Sequence, residues 1–161
     1  MRAAPKSKPA ATWLALVGGT LGLHRFYLHG FRDRLGWLFC VPTLLGWHGV
    51  RRMQALGMDD RLAWLLTPLL GVTISIATLS AIVYGLTPDA QWNRRHNPAA
   101  PAPDAGWAAI LGVIAALALG ATALLATIAF SAQRLFEWQA APTATSARTP
   151  ATRLAPGPTA S

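Results

Sequence analysis

Gly19-Thr20-Leu21-Gly22-Leu23-His24-Arg25-Phe26-Tyr27-Leu28 closes the first of four apolar stretches in this 161-residue chain. Upstream, Arg2, Lys6 and Lys8 precede an apolar run that begins at Ala10. A cleaved signal peptide would end that run in a small-residue site. Here it ends in His24-Arg25-Phe26-Tyr27, so the expectation is one uncleaved helix from Ala10 to Leu28. At about 1.5 Å per residue it covers about 28 Å, just enough to span a bilayer core of about 30 Å.

Outward from this segment the pattern repeats. Leu35 to Val50 is short and contains Pro42, which a membrane helix tolerates when neighbours satisfy the freed carbonyl. Arg34 and Arg51 flank it and can carry their charges to the two interfaces. Leu62 to Leu86 and Gly106 to Phe130 contain no charged residue. As helices each would measure about 37 Å, more than the hydrocarbon core, which implies tilt. The linker Thr87 to Ala105 holds Pro88, Pro98, Pro101 and Pro103 and reads as irregular. Met53 to Arg61 reads as an interfacial turn carrying Asp59 and Asp60. From Ala140 onward Ala, Thr, Pro and Ser dominate without periodicity, the signature of a disordered tail.

Composition agrees. Hydrophobic residues make up 53% of the chain and charged residues 12%, about half the charge of a soluble domain. The net charge of +8 could suit nucleic acid. However, Lys6, Lys8, Arg51, Arg52, Arg61, Arg94, Arg95 and Arg134 all flank apolar blocks, where topology determinants and headgroup anchors belong. No basic stripe interleaved with aromatics stands elsewhere, so nucleic acid is not an expected partner. Cys40 is the only cysteine, which excludes an intramolecular disulfide and a cysteine-based zinc site.

The expected fold is therefore all-α: an integral membrane protein of four transmembrane helices. It divides into a basic N-terminus (1–9), a helical hairpin (10–57), a second helix pair with its Pro-rich linker (58–139) and a tail (140–161). An even helix count places both termini on one side. The cations before the first helix, between the second and third, and in the tail outnumber those in the other linkers, which points to the cytoplasm. The short linkers and compact size suggest a bacterial inner membrane.

The residues from Lys6 to about Gly57 resemble the two-transmembrane-helix (TM2) domain family. Gly19, Gly22, His24, Arg25, Phe26, Tyr27 and Leu28 match its Gly-x-x-Gly-x-His-Arg-Phe-Tyr-Leu-Gly run in order, and Gly36, Trp37, Gly46 and Trp47 fit its second helix. His29 stands where the family has glycine, with Gly30 after it, and Arg51 and Arg52 occupy the region where many members carry Asp. The resemblance covers about a third of the chain. It implies a helical hairpin and no reaction.

Physical chemistry reads the same motif as a stop-and-turn device. Gly18 and Gly22 form a small-xxx-small pair for close backbone approach. Arg25 shares that helical face and complements the helix dipole, or bonds carbonyls at the helix end. Phe26 and Tyr27 suit an interfacial belt, and Gly30 can supply a left-handed cap.

Other chemistries find little footing. His24 and His29 are not an i, i+4 metal pair, and His48 and His96 lie in other segments. Ser75 and Ser80 have no histidine or aspartate in the third or fourth segments to form a hydrolase. A transporter or channel is the main rival, yet the two long segments carry no ionisable group. Ala108, Gly112, Ala116 and Gly120 recur at i+4 along the fourth segment and read as a packing stripe. Its expected partner is the third, at Ala77, Ala81 and Gly85, with homo-oligomerisation as the alternative. The expected function is non-enzymatic, through helix–helix or protein–protein contacts, with the lipid bilayer and other membrane proteins or itself as partners. No cofactor, metal or small-molecule substrate is expected.

Overall fold

The computed structural model describes residues 5–147 in backbone and 5–140 in side chains. Among the described residues the chain is helical, with no strand. Its elements are α1 (Lys8–Gly18), a 3-10 turn (Gly19–Leu21), α2 (Leu23–His29), α3 (Arg34–Leu56), α4 (Arg61–Leu86), α5 (Asp89–His96) and α6 (Gly106–Ala147).

The first apolar stretch is not one helix. α1 starts on a Ser7 N-cap with Pro9 in its first turn, where the missing N–H costs nothing. It ends at Gly18. Gly22 then adopts φ +72, the left-handed conformation that reverses the chain. α2 runs back, and its last turn reaches the level where α1 began. There the Lys6 ammonium donates to the Leu28 carbonyl, and the Ser7 N–H donates to the Tyr27 hydroxyl at 2.9 Å. Gly30 ends α2, its N–H meeting the Phe26 carbonyl, but at φ +82 and ψ 171 it is extended past the left-handed helical cap that was expected.

α3 is longer than its apolar run. Asp33 caps its start through the Leu35 N–H at 3.1 Å, and it continues through Arg51 and Arg52 to Leu56 with Pro42 inside. The turn that follows shrinks to Gly57–Asp60, and Asp60 caps α4 through the Ala63 N–H at 3.2 Å. α4 packs antiparallel on α3. The Gly46 Cα faces the backbone of Leu70, and Gly49 faces Leu66 and Thr67, approaches only glycine permits.

α4 also packs on α1 and α6. Gly19 meets Ala77 and Gly85 meets Val113, while Ala15, Ala81 and Ala116 form one buried cluster. On α6, Gly112 faces Thr12 of α1 and Gly120 faces Thr78 of α4, so the small-residue face serves two helices. Ala108 does not belong to it: its side faces outward, and Ala105 and Ala109 are the buried alanines of that turn. The Ala108 carbonyl instead accepts from Trp13 Nε1 at 3.0 Å.

Two further expectations are corrected. The Pro-rich linker contains a helix, α5, with Asp89 in its first turn and Arg94, Arg95 and His96 in its last, the charge order that suits a helix dipole. α6 passes Ala140 and extends to Ala147, so a disordered tail beginning at Ala140 is overturned over 140–147; residues 148–161 lie outside those described. Among the described residues, α4 and α6 are the two helices long and apolar enough to cross a membrane. Because α1 and α2 begin and finish at the same end, the chain passes along the bundle in α3, α4 and α6. The first described residues and the far end of α6 therefore lie at opposite ends of the bundle; the termini themselves, on which the expectation of one shared side rests, lie outside the described residues.

Candidate functional site

The motif runs from the turn between α1 and α2 back to the Lys8 end of the bundle, where Tyr27 and Leu28 meet Ser7 and Lys6. Gly19 and Gly22 occupy the turn. A side chain on Gly22 would strike the Gly36 backbone of α3, and one on Gly19 would strike Ala77 of α4. The turn's free carbonyls find partners on α3: Thr43 Oγ1 donates to the Thr20 carbonyl at 2.6 Å, and Cys40 Sγ reaches the Leu21 carbonyl at 3.4 Å. Gly18 packs under the Leu23 side chain.

His24 is buried at 1% exposure, its ring edge-on to Phe39 and tilted against Tyr84. Its Nδ1 has no hydrogen-bond partner among the described residues. Phe26 covers Gly36, stacks with Phe31 and meets Trp37 edge-on. Tyr27 and Leu28 hold the N-terminal segment through the two bonds already given.

Arg25 departs from its expected place. The chain reversal removes the face it was to share with Gly18 and Gly22, and it bonds no carbonyl. Its Nε donates to Asp33 Oδ2 at 2.7 Å, joining α2 to the cap of α3. The guanidinium beside Asp33 holds that carboxyl below the usual carboxylate range.

Residues outside the motif complete this end. Asn97, buried, brackets the Lys6 peptide: its Oδ1 accepts the Lys6 N–H at 2.7 Å and its Nδ2 donates to the Lys6 carbonyl at 3.0 Å. Trp92 Nε1 donates to that same carbonyl at 2.9 Å. Lys8 Nζ donates to the Thr87 carbonyl at 2.9 Å and pairs with Asp89 at 2.6 Å. Lys8 holds the Asp89 carboxyl below its ordinary range. Sequence reading took α5 for irregular linker and missed this clasp; the run from Asp89 to Arg94-Arg95-His96 was the available signal.

Beside the clasp lies a cavity of about 360 Å³, walled by α2, the end of α4, and α5. Arg25 and His29 enter from α2, Arg95 and His96 from α5, and Tyr84, Thr87 and Gln91 supply neutral polar groups. Two apolar grooves run between α4 and α6, and neither gathers such groups. Among the described residues no three His, Cys, Asp or Glu side chains cluster as a metal site. Set against known protein families, curated proteins and solved structures, the chain matches none of them.

Proposed function

We propose that the chain is a non-enzymatic integral membrane protein of the TM2 type, acting through contacts with other membrane proteins or itself. The observation that carries the membrane reading is the outward face of the two long helices. In the most apolar stretch of α4 only 22% of residues are buried, and in that of α6 only 17%. Leu79 and Val83 on α4, and Leu111, Ile114, Leu117, Leu125 and Ile128 on α6, stand exposed. Such faces suit lipid, whereas in water a patch this extensive would drive association.

In that setting α3, α4 and α6 cross the bilayer. α1, about 16 Å long, dips to mid-depth beside Ala77, turns, and returns as α2 to the face it entered. The turn is tolerated there because its free carbonyls find donors on α3. The Tyr27 hydroxyl, the Leu28 carbonyl and the Arg25 Nε are spent on contacts that fasten separate segments of the chain, which supports a role in architecture over one in chemistry. The Lys8 end bears Lys6, Lys8, Arg25, Arg32, Arg34, Arg94 and Arg95, and the Leu56 end Arg51, Arg52, Arg61 and Arg134, which favours the Lys8 end inside.

The test is membrane extraction plus topology. The protein should remain in carbonate-washed membranes, and reporters before Lys6 and after Trp138 should report opposite compartments. Release by carbonate would defeat the membrane reading; reporters in one compartment would defeat three crossings. A second reading, a small transporter or channel subunit, is favoured by the helix break at mid-depth and the unpaired His24 Nδ1 beside it. Solute flux across liposomes carrying the pure protein would select it.

A further inference from the structure

We infer that the cavity between α2 and α5 is a binding site for a phosphate-bearing anion. The first argument is the donor inventory. Arg25 and Arg95 have no acceptor atoms, and His29 and His96 can donate from their ring nitrogens. Tyr84, Thr87 and Gln91 add donors beside them. The second is unused capacity. Arg25 gives its Nε to Asp33 and, among the described residues, makes no further hydrogen bond through its terminal nitrogens. Arg95 makes no hydrogen bond or ion pair among the described residues.

The third argument is charge balance. The carboxylate that faces this group is Asp33, already engaged by Arg25 and 3.8 Å from His29 Nδ1. Asp89, the other carboxylate nearby, is taken by Lys8. With both of these carboxylates engaged, Arg95 and the terminal nitrogens of Arg25 have no anionic partner among the described residues. A tetrahedral oxyanion supplies that charge and several acceptors at once, and the planar guanidinium fork matches its geometry. The cavity volume falls within the range of small-ligand sites.

The phosphate can come from an anionic phospholipid headgroup or from a soluble phosphate. The lipid source rests on the membrane reading, and the soluble one does not. The experiment places the full chain in phosphatidylcholine nanodiscs and measures thermal stability under two additions at matched ionic strength: inorganic phosphate, and phosphatidylglycerol in the disc. Binding to the folded state raises the melting temperature with ligand concentration. Three proteins are compared: the unaltered chain, Arg95→Gln, and Arg94→Gln as a neighbour outside the cavity wall. One or both additions should stabilise the unaltered chain and Arg94→Gln, and Arg95→Gln should need about tenfold more ligand for the same shift. A shift with phosphatidylglycerol alone identifies the headgroup, and one with inorganic phosphate alone a soluble anion. No shift with either addition, or an equal loss in Arg94→Gln and Arg95→Gln, would overturn the site. Because these are binding readouts in a disc, their failure leaves the carbonate and reporter results standing.

Discussion

At the Lys8 end of the bundle the chain ties itself together over long distances; at the Leu56 end the ion pairs among the described residues join neighbours. Lys6 meets Asn97 across 91 positions, and Lys8 meets Thr87 across 79. At the other end Arg52 pairs with Asp60 across a four-residue turn, and Arg134 with Glu137 on one helix. Among the described glycines at positive φ, Gly30 and Gly57 stand in open space at the two ends, while Gly22, in the turn from α1 to α2, is wedged against Gly36. The same residue types thus make a locked end and a plain connection. What differs is how many separate segments converge.

The glycine pair offers the sharpest way to break this contrast. In Gly22→Ala the new methyl group must enter a left-handed conformation and collide with the Gly36 backbone, costing about 3 kcal/mol or more. In Gly57→Ala, at φ +88 with nothing nearby, only the conformational cost remains, about 1 kcal/mol. Unfolding of the two variants in detergent checks this, and equal losses would show that the contact with Gly36 adds nothing to the lock on the first segment.

Ion pairs come next. Lys8 is 10% exposed and bonds both Asp89 and a carbonyl, so Lys8→Met should cost about 1–2 kcal/mol. Glu137 is 48% exposed, and Glu137→Gln should change stability by less than about 0.5 kcal/mol. The same unfolding assay reads both, and a Glu137→Gln loss matching that of Lys8→Met would dissolve the distinction.

Acid should separate the ends least, because each has a depressed carboxyl: Asp33 held by Arg25, and Asp60 held by Arg52. A carboxyl whose folded pKa is lowered contributes stability that is complete above its unfolded value and lost as pH falls through the folded one. Stability should therefore decline below the ordinary carboxylate range. Asp33→Asn and Asp60→Asn should each flatten part of that decline, measured as unfolding midpoints against pH. A decline unchanged in both variants would remove these pairs as its source.

The long helices were legible because an uncharged run of that length has few other uses, and Leu62 to Leu86 and Gly106 onward read directly as α4 and α6. The turn at Gly19–Gly22 was not. In an apolar run, glycines signal close packing as readily as chain reversal, and only the contacts with Gly36 and Ala77 decide between them. Had the helix continued, His24 and Arg25 would have followed Gly22 on an unbroken apolar segment; the reversal instead carries Arg25 back to the polar end. α5 was hidden by its flanking prolines, although its charge order was in view. Asn97 gave no signal, because one buried amide gripping a peptide 91 positions away follows no local pattern.

The grip of Trp92 and Asn97 on the Lys6 peptide also sets an order of events during synthesis. The earliest part of the chain cannot settle until α5, far downstream, has left the ribosome. Until then α1 and α2 have only each other, α3 and α4 to lean on. A chain interrupted after Leu86 would lack the groups that fasten its own beginning. The last connector between long helices therefore acts as the latch for the first residues, and tags placed just before Lys6 will meet that latch closing.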